Sequence, residues 1–198
     1  MGAVPRRRPP ARRTHRPPQE DRPRAEAALP RARRPGGRPV TWTTRPETAA
    51  DHAAVRAVLR AAFPTPAEAD LVDALRRDPA WLPGLAWTAG DPVTGYALLT
   101  RCHVGDAAAL ALAPVAVHPD RQRTGAGTAA VTAALDAARD AGEAFAVVLG
   151  DPAYYARFGF VPAPGITADF PDGALMALAL RDGPVPAGRI RYPAPFGV

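Results

Sequence analysis

Residues Val115 to Gly127 constrain the fold most strongly, and they read VAVHPDRQRTGAG. A short apolar strand runs into a turn of small and polar residues, and an alanine-rich stretch with helical spacing follows at once. Such a unit points several free backbone N–H groups at one place, where the helix dipole also favours negative charge. It therefore predicts an anion site, suited to phosphate groups, at the start of this helix.

The two parts of the chain differ in composition and charge. Residues 1–39 contain twelve arginines and three acidic residues, a net charge of +9, with few large apolar side chains. Such a segment cannot bury enough apolar surface to offset its ordering entropy, so we expect disorder there. It is an inert tail, a translated region upstream of the true start codon, or a basic arm for nucleic acid or an acidic partner. The basic arm is the least favoured of the three, because basic runs create non-specific attraction without implying a designed site. No aromatic residues lie between the arginines to stack on bases.

Residues 40–198 carry a net charge of −3 and enough apolar residues for the core of one domain. Hydrophobic periodicity and turn residues predict strands at 40–45, 85–88, 93–100, 107–117, 145–149 and 175–180. The predicted helices are 48–63, one after Pro66 with Ala67, Leu71, Ala74 and Leu75 on one face, 125–141 and 153–158. This order predicts an α/β domain with a mixed sheet.

Pro114 lies inside the long strand predicted at 107–117. Proline has no N–H to donate to a neighbouring strand. A bulge or a splay between strands is therefore expected at this position.

Cysteine and histidine content argues against several kinds of site. The single cysteine, Cys102, cannot form an intramolecular disulfide, and its apolar neighbours predict a buried side chain. Such low cysteine usage fits the reducing cytoplasm, which is the location we expect.

The four histidines show no metal-ligand spacing, so no metal is expected. No apolar run approaches the roughly 20 residues that a membrane span needs.

A second unusual string, GDPAYYARFGF, runs from Gly150 to Phe160. Together with the QRTGAG turn from Gln122 and the late RYPAPFG segment from Arg191, it makes the chain resemble the GNAT superfamily of N-acetyltransferases, and its YhbS-type branch most closely. The resemblance covers residues 40–198. It implies a GNAT fold, in which a mixed sheet of about six to seven strands is flanked by helices and splayed where acetyl-CoA binds.

The resemblance implies acetyl-CoA as the donor and assigns its contacts. The turn would bind the pyrophosphate through Gln122 and through the backbone N–H groups of Arg123, Thr124, Gly125, Ala126, Gly127 and Thr128. The main chain of Val115 and Val117 would meet the pantetheine arm. Asp151 stands where many relatives keep an asparagine that contacts this arm, although Asp151-Pro152 also reads as a helix N-cap.

Other features of the turn refine this expectation. The turn lacks the Gly-Lys-Ser/Thr ending of an ATP-type P-loop, which disfavours a nucleoside triphosphate. The side chains of Arg121 and Arg123 either pair with phosphates or are solvated turn residues.

Two residues are candidates for catalysis. Tyr155 matches the tyrosine that the family commonly keeps near the CoA sulfur, where it would protonate the departing thiolate. The alternative for Tyr155 is a core aromatic whose hydroxyl is satisfied, and Tyr154 is expected to pack. Glu68 is the first candidate for the general base because it precedes the helix that borders the acceptor site in relatives. Its alternative is a first-turn acid that the helix dipole favours.

The resemblance thus implies an N-acetyltransferase that moves acetyl from acetyl-CoA to a primary amine by direct attack. The acceptor would be a small molecule or a peptide, and we expect no membrane partner and no nucleic-acid partner beyond the basic tail. The sequence leaves the oligomeric state open, a homodimer included. The alternative is an acyl-CoA-binding regulatory or interaction module with little turnover.

Overall fold

The backbone follows the α/β order that the sequence predicts. The structure is a computed structural model that describes residues 41–168 and 175–197. The tail expected to be disordered, residues 1–39, lies outside the described residues. The helices are α1 (His52–Ala62), α2 (Ala67–Leu75), α3 (Ala126–Asp140) and α4 (Pro152–Tyr155). The strands are β1 (Thr44–Pro46), β2 (Ala86–Ala89), β3 (Gly95–Val104), β4 (Ala107–Val117), β5 (Phe145–Leu149), β6 (Val161–Pro162), β7 (Ile166–Thr167), β8 (Leu175–Ala179) and β9 (Gly188–Arg191).

The strands form one mixed sheet. Its main path has the order β1-β2-β3-β4-β5-β8-β6, which agrees with the predicted six to seven strands. Only β4 and β5 are parallel along this path, and every other pair is antiparallel. The short strand β9 pairs with the end of β3 and with β7.

The sheet is splayed between β4 and β5. Parallel pairing joins only Leu110 to Ala146 and Ala111 to Val147, whereas β4 continues to Val117. On the other side of β4, the register with β3 shifts next to Pro114. The predicted irregularity at Pro114 is therefore confirmed, and β5 pairs with none of β4 beyond Ala111.

The two faces of the sheet are covered by different helices. The small side chains of Ala130, Ala134 and Ala138 are fully buried and let α3 lie close to one face. Helices α1 and α2 cover the other face. Side chains alternate along the end of β4, so that Val115 and Val117 pack on the α3 face and Ala116 on the α1–α2 face.

Several boundaries and faces differ from the prediction. Helix α2 buries Ala69, Val72 and Leu75. Of the predicted face of Ala67, Leu71, Ala74 and Leu75, Leu75 is buried and Leu71 packs partly buried against the same core, whereas Ala67 and Ala74 do not belong to it. The buried face of α2 is set by its packing on α1 and the sheet. A short amphipathic sequence does not specify this packing. The strand expected at 40–45 is observed as Thr44–Pro46, and the strand expected at 93–100 as Gly95–Val104. Strands β6, β7 and β9 were missed because two to four residues are too few to show alternation.

A buried ion pair fixes the start of the domain to α2. The Glu47 side chain is 1% exposed and the Arg76 side chain 9% exposed, and the two are hydrogen-bonded. The Tyr96 hydroxyl donates to the second Glu47 oxygen at 3.0 Å, and Arg76 also binds Asp73 at 2.6 Å. This network links the β1 end, α2 and β3, and its Glu47 and Tyr96 groups are buried away from water.

Candidate active site

A cavity of about 620 Å³ lies between the end of β4, the start of α3 and α4. It brings together eight of the residues that sequence analysis assigned to the site, namely Val115, Val117, Gln122, Arg123, Gly125, Gly127, Thr128 and Tyr155. Ala116, Tyr154 and Arg157 complete its lining. The cavity lies on the α3 face, where the β4–β5 splay leaves the last residues of β4 without a partner in β5.

The turn before α3 presents free backbone donors to this cavity. Gly125 is the N-cap of α3 and has a left-handed backbone with φ 99°, a conformation that costs glycine little. The first helical hydrogen bond runs from the Ala129 N–H to the Gly125 carbonyl at 2.9 Å. The N–H groups of residues 126–128 therefore have no acceptor one turn back in the helix. These donors and the helix dipole favour an anion at this end of the cavity.

The conformation of the turn is supported from outside the helix. The Trp42 indole N–H donates to the Thr124 carbonyl at 3.0 Å, and the Thr124 hydroxyl donates to the Arg121 carbonyl at 2.5 Å. Arg123 also has a left-handed backbone, with φ 60°, and its side chain lines the cavity. Arg121 instead lines a separate depression beside Trp42.

Gly127 lies where α3 crosses the end of β4. A Cβ atom at this position would lie 2.9 Å from Cγ2 of Val117 and 3.1 Å from the Tyr154 hydroxyl oxygen. The first distance is shorter than real carbon contacts allow, so a side chain here would displace two walls of the cavity. The absence of a side chain at 127 is thus a steric requirement of the site.

Tyr155 is half-buried and held by aromatic neighbours. Its ring makes edge contacts with Tyr154 and Phe160, at centroid distances of 5.0 and 5.9 Å. A Cβ at Gly150 would lie 2.6 Å from its ring, so this glycine lets the ring lie against the end of β5. Burial, with a smaller contribution from Tyr154, raises the pKa of Tyr155 to about 12. The phenol therefore keeps its proton at neutral pH and can donate it within the cavity.

Two features of the cavity wall were not predicted from the sequence. Arg157, which had no predicted role, donates from Nε to the Tyr154 carbonyl at 2.8 Å, and its guanidinium carbon lies 4.5 Å from the centre of the Tyr154 ring. Tyr154, which was expected to pack, also lines the cavity, and its hydroxyl lies beside Gly127. The contact between Tyr154 and Arg157 could have been predicted from their spacing of three residues, because residues three apart are neighbours on a helix and 153–158 was predicted to be helical.

Four of the predicted site residues do not line the cavity: Thr124, Ala126, Asp151 and Glu68. The Asp151 carboxylate accepts a hydrogen bond from the Ala153 N–H at 2.9 Å, so its side chain caps α4. Glu68 lies in the first turn of α2, on the opposite face of the sheet. Its Oε2 atom is buried and has no hydrogen-bond partner among the described residues.

A second cavity, of about 740 Å³, lies near the other end of α3 and contains none of the predicted site residues. An ion pair between Arg101 and Glu143, with both distances at or below 2.7 Å, forms part of its wall. Because the chemistry-bearing residues converge elsewhere, the smaller cavity is the candidate active site.

Comparison with known proteins places this geometry in a family. Residues 52–160, more than half of the chain, match the model of the Acetyltransferase (GNAT) family. The chain belongs to the GNAT acetyltransferases. It is 37% identical over 119 residues to the uncharacterized N-acetyltransferase YhbS of Escherichia coli strain K12, covering 59% of this chain and 71% of that protein. The predicted family and its YhbS-like branch are thus confirmed.

Solved GNAT structures show the same fold. The crystal structure of YhbS from Escherichia coli in complex with CoA has a TM-score of 0.73 and 30% identity, and the similarity covers 79% of this chain and 92% of that one. A GNAT family acetyltransferase from Brucella melitensis in complex with acetyl-CoA has a TM-score of 0.66 and 31% identity, over 79% and 98% of the two chains. The predicted GNAT fold, with its mixed sheet flanked by helices, is therefore confirmed.

Two properties of the described part of this GNAT chain bear on other kinds of site. None of its helices combines the length and apolar character that a bilayer crossing requires. Over residues 41–168 and 175–197, no three histidine, cysteine, aspartate or glutamate side chains gather as a metal site would need.

Proposed function

We propose that this GNAT chain transfers an acetyl group from acetyl-CoA to a primary amine by direct attack. One observation carries the proposal. A helix start with free N–H groups, a strand end that has no partner on its β5 side and a protonated phenol converge on one cavity. The helix start would hold the pyrophosphate of the donor. The main chain of Val115 and Val117 would hold its pantetheine arm in the manner of an added strand.

The chemistry of the step requires one proton donor and one proton acceptor. The amine nitrogen bonds to the thioester carbonyl carbon, the C–S bond breaks, and the thiolate takes a proton from the Tyr155 hydroxyl. Backbone dipoles at the β4 end would stabilise the negative charge on the carbonyl oxygen. Orientation of the two reactants would supply much of the rate enhancement.

Glu68 remains the proposed base that accepts the proton of the amine. It lies on the α1–α2 face, across the splayed sheet from the donor cavity, and one carboxylate oxygen is buried without a partner among the described residues. Glu68→Gln is expected to lower kcat/KM for the amine about tenfold or more, since general base catalysis typically contributes 10²–10⁴-fold. The affinity for acetyl-CoA should not change. An unchanged kcat/KM would leave Glu68 with the role of a first-turn helix acid only.

The direct test is calorimetric titration of acetyl-CoA into the full chain, followed by detection of free thiol with a panel of small amines and peptides. Binding together with amine-dependent thiol release supports the transferase. Binding without release for any amine favours the alternative, a regulatory or interaction module. A folded protein that does not bind acetyl-CoA would contradict both readings.

Gly127→Val is expected to weaken acetyl-CoA binding roughly tenfold or more, since overpacking of this kind costs about 1–3 kcal/mol. The new side chain would push Val117 and Tyr154 into the cavity. Thr132→Val is the matched control because it places the same side chain on an exposed position of the same helix. If both variants bind acetyl-CoA like the parent, this end of the cavity does not hold the donor.

A further inference from the structure

The Arg157 guanidinium is a prearranged cation at the mouth of the cavity. Its Nε–H is occupied by the Tyr154 carbonyl, and the Tyr154 ring supports its face. Both contacts come from one residue, so they hold the plane of the guanidinium in one orientation. The four N–H groups on the two Nη atoms remain available, since a guanidinium carries five in all.

Among residues 41–168 and 175–197, no carboxylate neutralises this cation. In the part of the chain that the structure describes, Arg157 takes part in no ion pair, whereas Arg56, Arg76 and Arg101 each bind an acid. The described lining of the cavity contains a second arginine, Arg123, and no aspartate or glutamate. The free N–H groups at the start of α3 add to the positive potential. The positive charge on the cavity wall therefore favours an anionic ligand.

The position of the Tyr154 side chain links this cation to the turn before α3. Its hydroxyl oxygen lies beside Gly127, 3.1 Å from the place of a Cβ atom, while its ring supports Arg157. Arg157 and the N–H groups of the turn thus border the same space from two sides. An anion that extends along this space would meet both.

We propose that Arg157 binds a phosphate group of the CoA donor and that Tyr154 is its positioning residue. The inference rests on the proposed function only in taking CoA as the ligand. A planar guanidinium with free Nη donors binds two phosphate oxygens at once, which a lysine ammonium cannot do with the same geometry. CoA offers two sources of this chemistry, the pyrophosphate and the 3′-phosphate. Arg157 thereby contributes to affinity from outside the glycine turn.

The test measures the Kd of CoA and of dephospho-CoA, which lacks the 3′-phosphate, for the full chain and its variants. Arg157→Gln is expected to weaken CoA binding about tenfold, as for loss of a charge-assisted hydrogen bond. Arg139→Gln is the charge control because it removes one arginine, paired with Asp136, in the last turn of α3. This position lies about 20 Å from the start of α3 by the helix rise of about 1.5 Å per residue. At 0.15 M salt this distance exceeds the screening length of about 8 Å, so the control should bind like the parent.

Comparison of CoA with dephospho-CoA shows which phosphate group Arg157 binds. If Arg157 meets the 3′-phosphate, the parent binds dephospho-CoA about tenfold more weakly than CoA, and Arg157→Gln abolishes this difference. If it meets the pyrophosphate, Arg157→Gln weakens both ligands equally. Tyr154→Leu should weaken CoA binding in the parent and have little further effect in Arg157→Gln, which is the pattern of a positioning residue.

Two results would overturn the inference while leaving the proposed function intact. One is an Arg157→Gln variant that binds both ligands as the parent does. The other is an equal loss in Arg139→Gln, which would assign the effect to overall charge. A parent protein that binds neither ligand would instead contradict the proposed function itself.

Discussion

Tyr155→Phe is expected to lower kcat for acetyl transfer about a hundredfold or more while the Kd of acetyl-CoA stays within about twofold. The substitution removes only the hydroxyl, so the edge contacts of the ring with Tyr154 and Phe160 remain. The departing thiolate would then leave without its proton donor. Steady-state kinetics with thiol detection, together with calorimetry, separates this loss of rate from a loss of binding.

Tyr192→Phe is the matched control for this prediction. Tyr192 is also a half-buried phenol whose pKa burial raises to about 12, but it does not line the cavity. Its replacement should leave kcat unchanged. Because burial likewise keeps Tyr155 protonated until about pH 12, we expect no fall in kcat from its ionisation between pH 7 and 10. Equal kcat values for Tyr155→Phe and the parent would reduce Tyr155 to a packing residue.

Glu47→Ala is expected to lower the free energy of unfolding by about 3–5 kcal/mol, the usual cost of removing one partner of a buried ion pair. The variant would leave Arg76 buried with only Asp73 beside it, and would leave the Tyr96 hydroxyl without its acceptor. Urea unfolding followed by circular dichroism measures this change.

Asp136→Ala provides the comparison for Glu47→Ala. Asp136 also pairs with an arginine, Arg139, but the two side chains are 60% and 39% exposed. Removal of a pair in this environment should cost less than about 1 kcal/mol. If the two variants lose the same stability, the buried network does not fix α2 to the sheet. If Glu47→Ala also loses donor affinity, the network acts on the cavity as well as on stability.

Local chemistry made part of the site predictable. Strand β4 has the bounds that the apolar run predicts, and the α3 boundary follows from a glycine that accepts a left-handed backbone at 125. The irregularity at Pro114 was predictable because proline has no backbone N–H to donate in any structural context. The string from Gly150 to Phe160 places Tyr155 by the same local rules, since Pro152 begins α4 and Gly159 ends the helical segment.

Other features needed the tertiary structure. The buried face of α2 depends on which neighbours it meets, and β6, β7 and β9 are too short to exist without their partners. The face of the sheet that carries Glu68 follows from how the helices pack, as does the meeting of Gly127 with Val117 and Tyr154. The sequence by itself determined the segments whose geometry depends on neighbours along the chain. The tertiary structure alone decided which distant residues share the cavity, because packing free energy belongs to contacts between segments and not to any one of them.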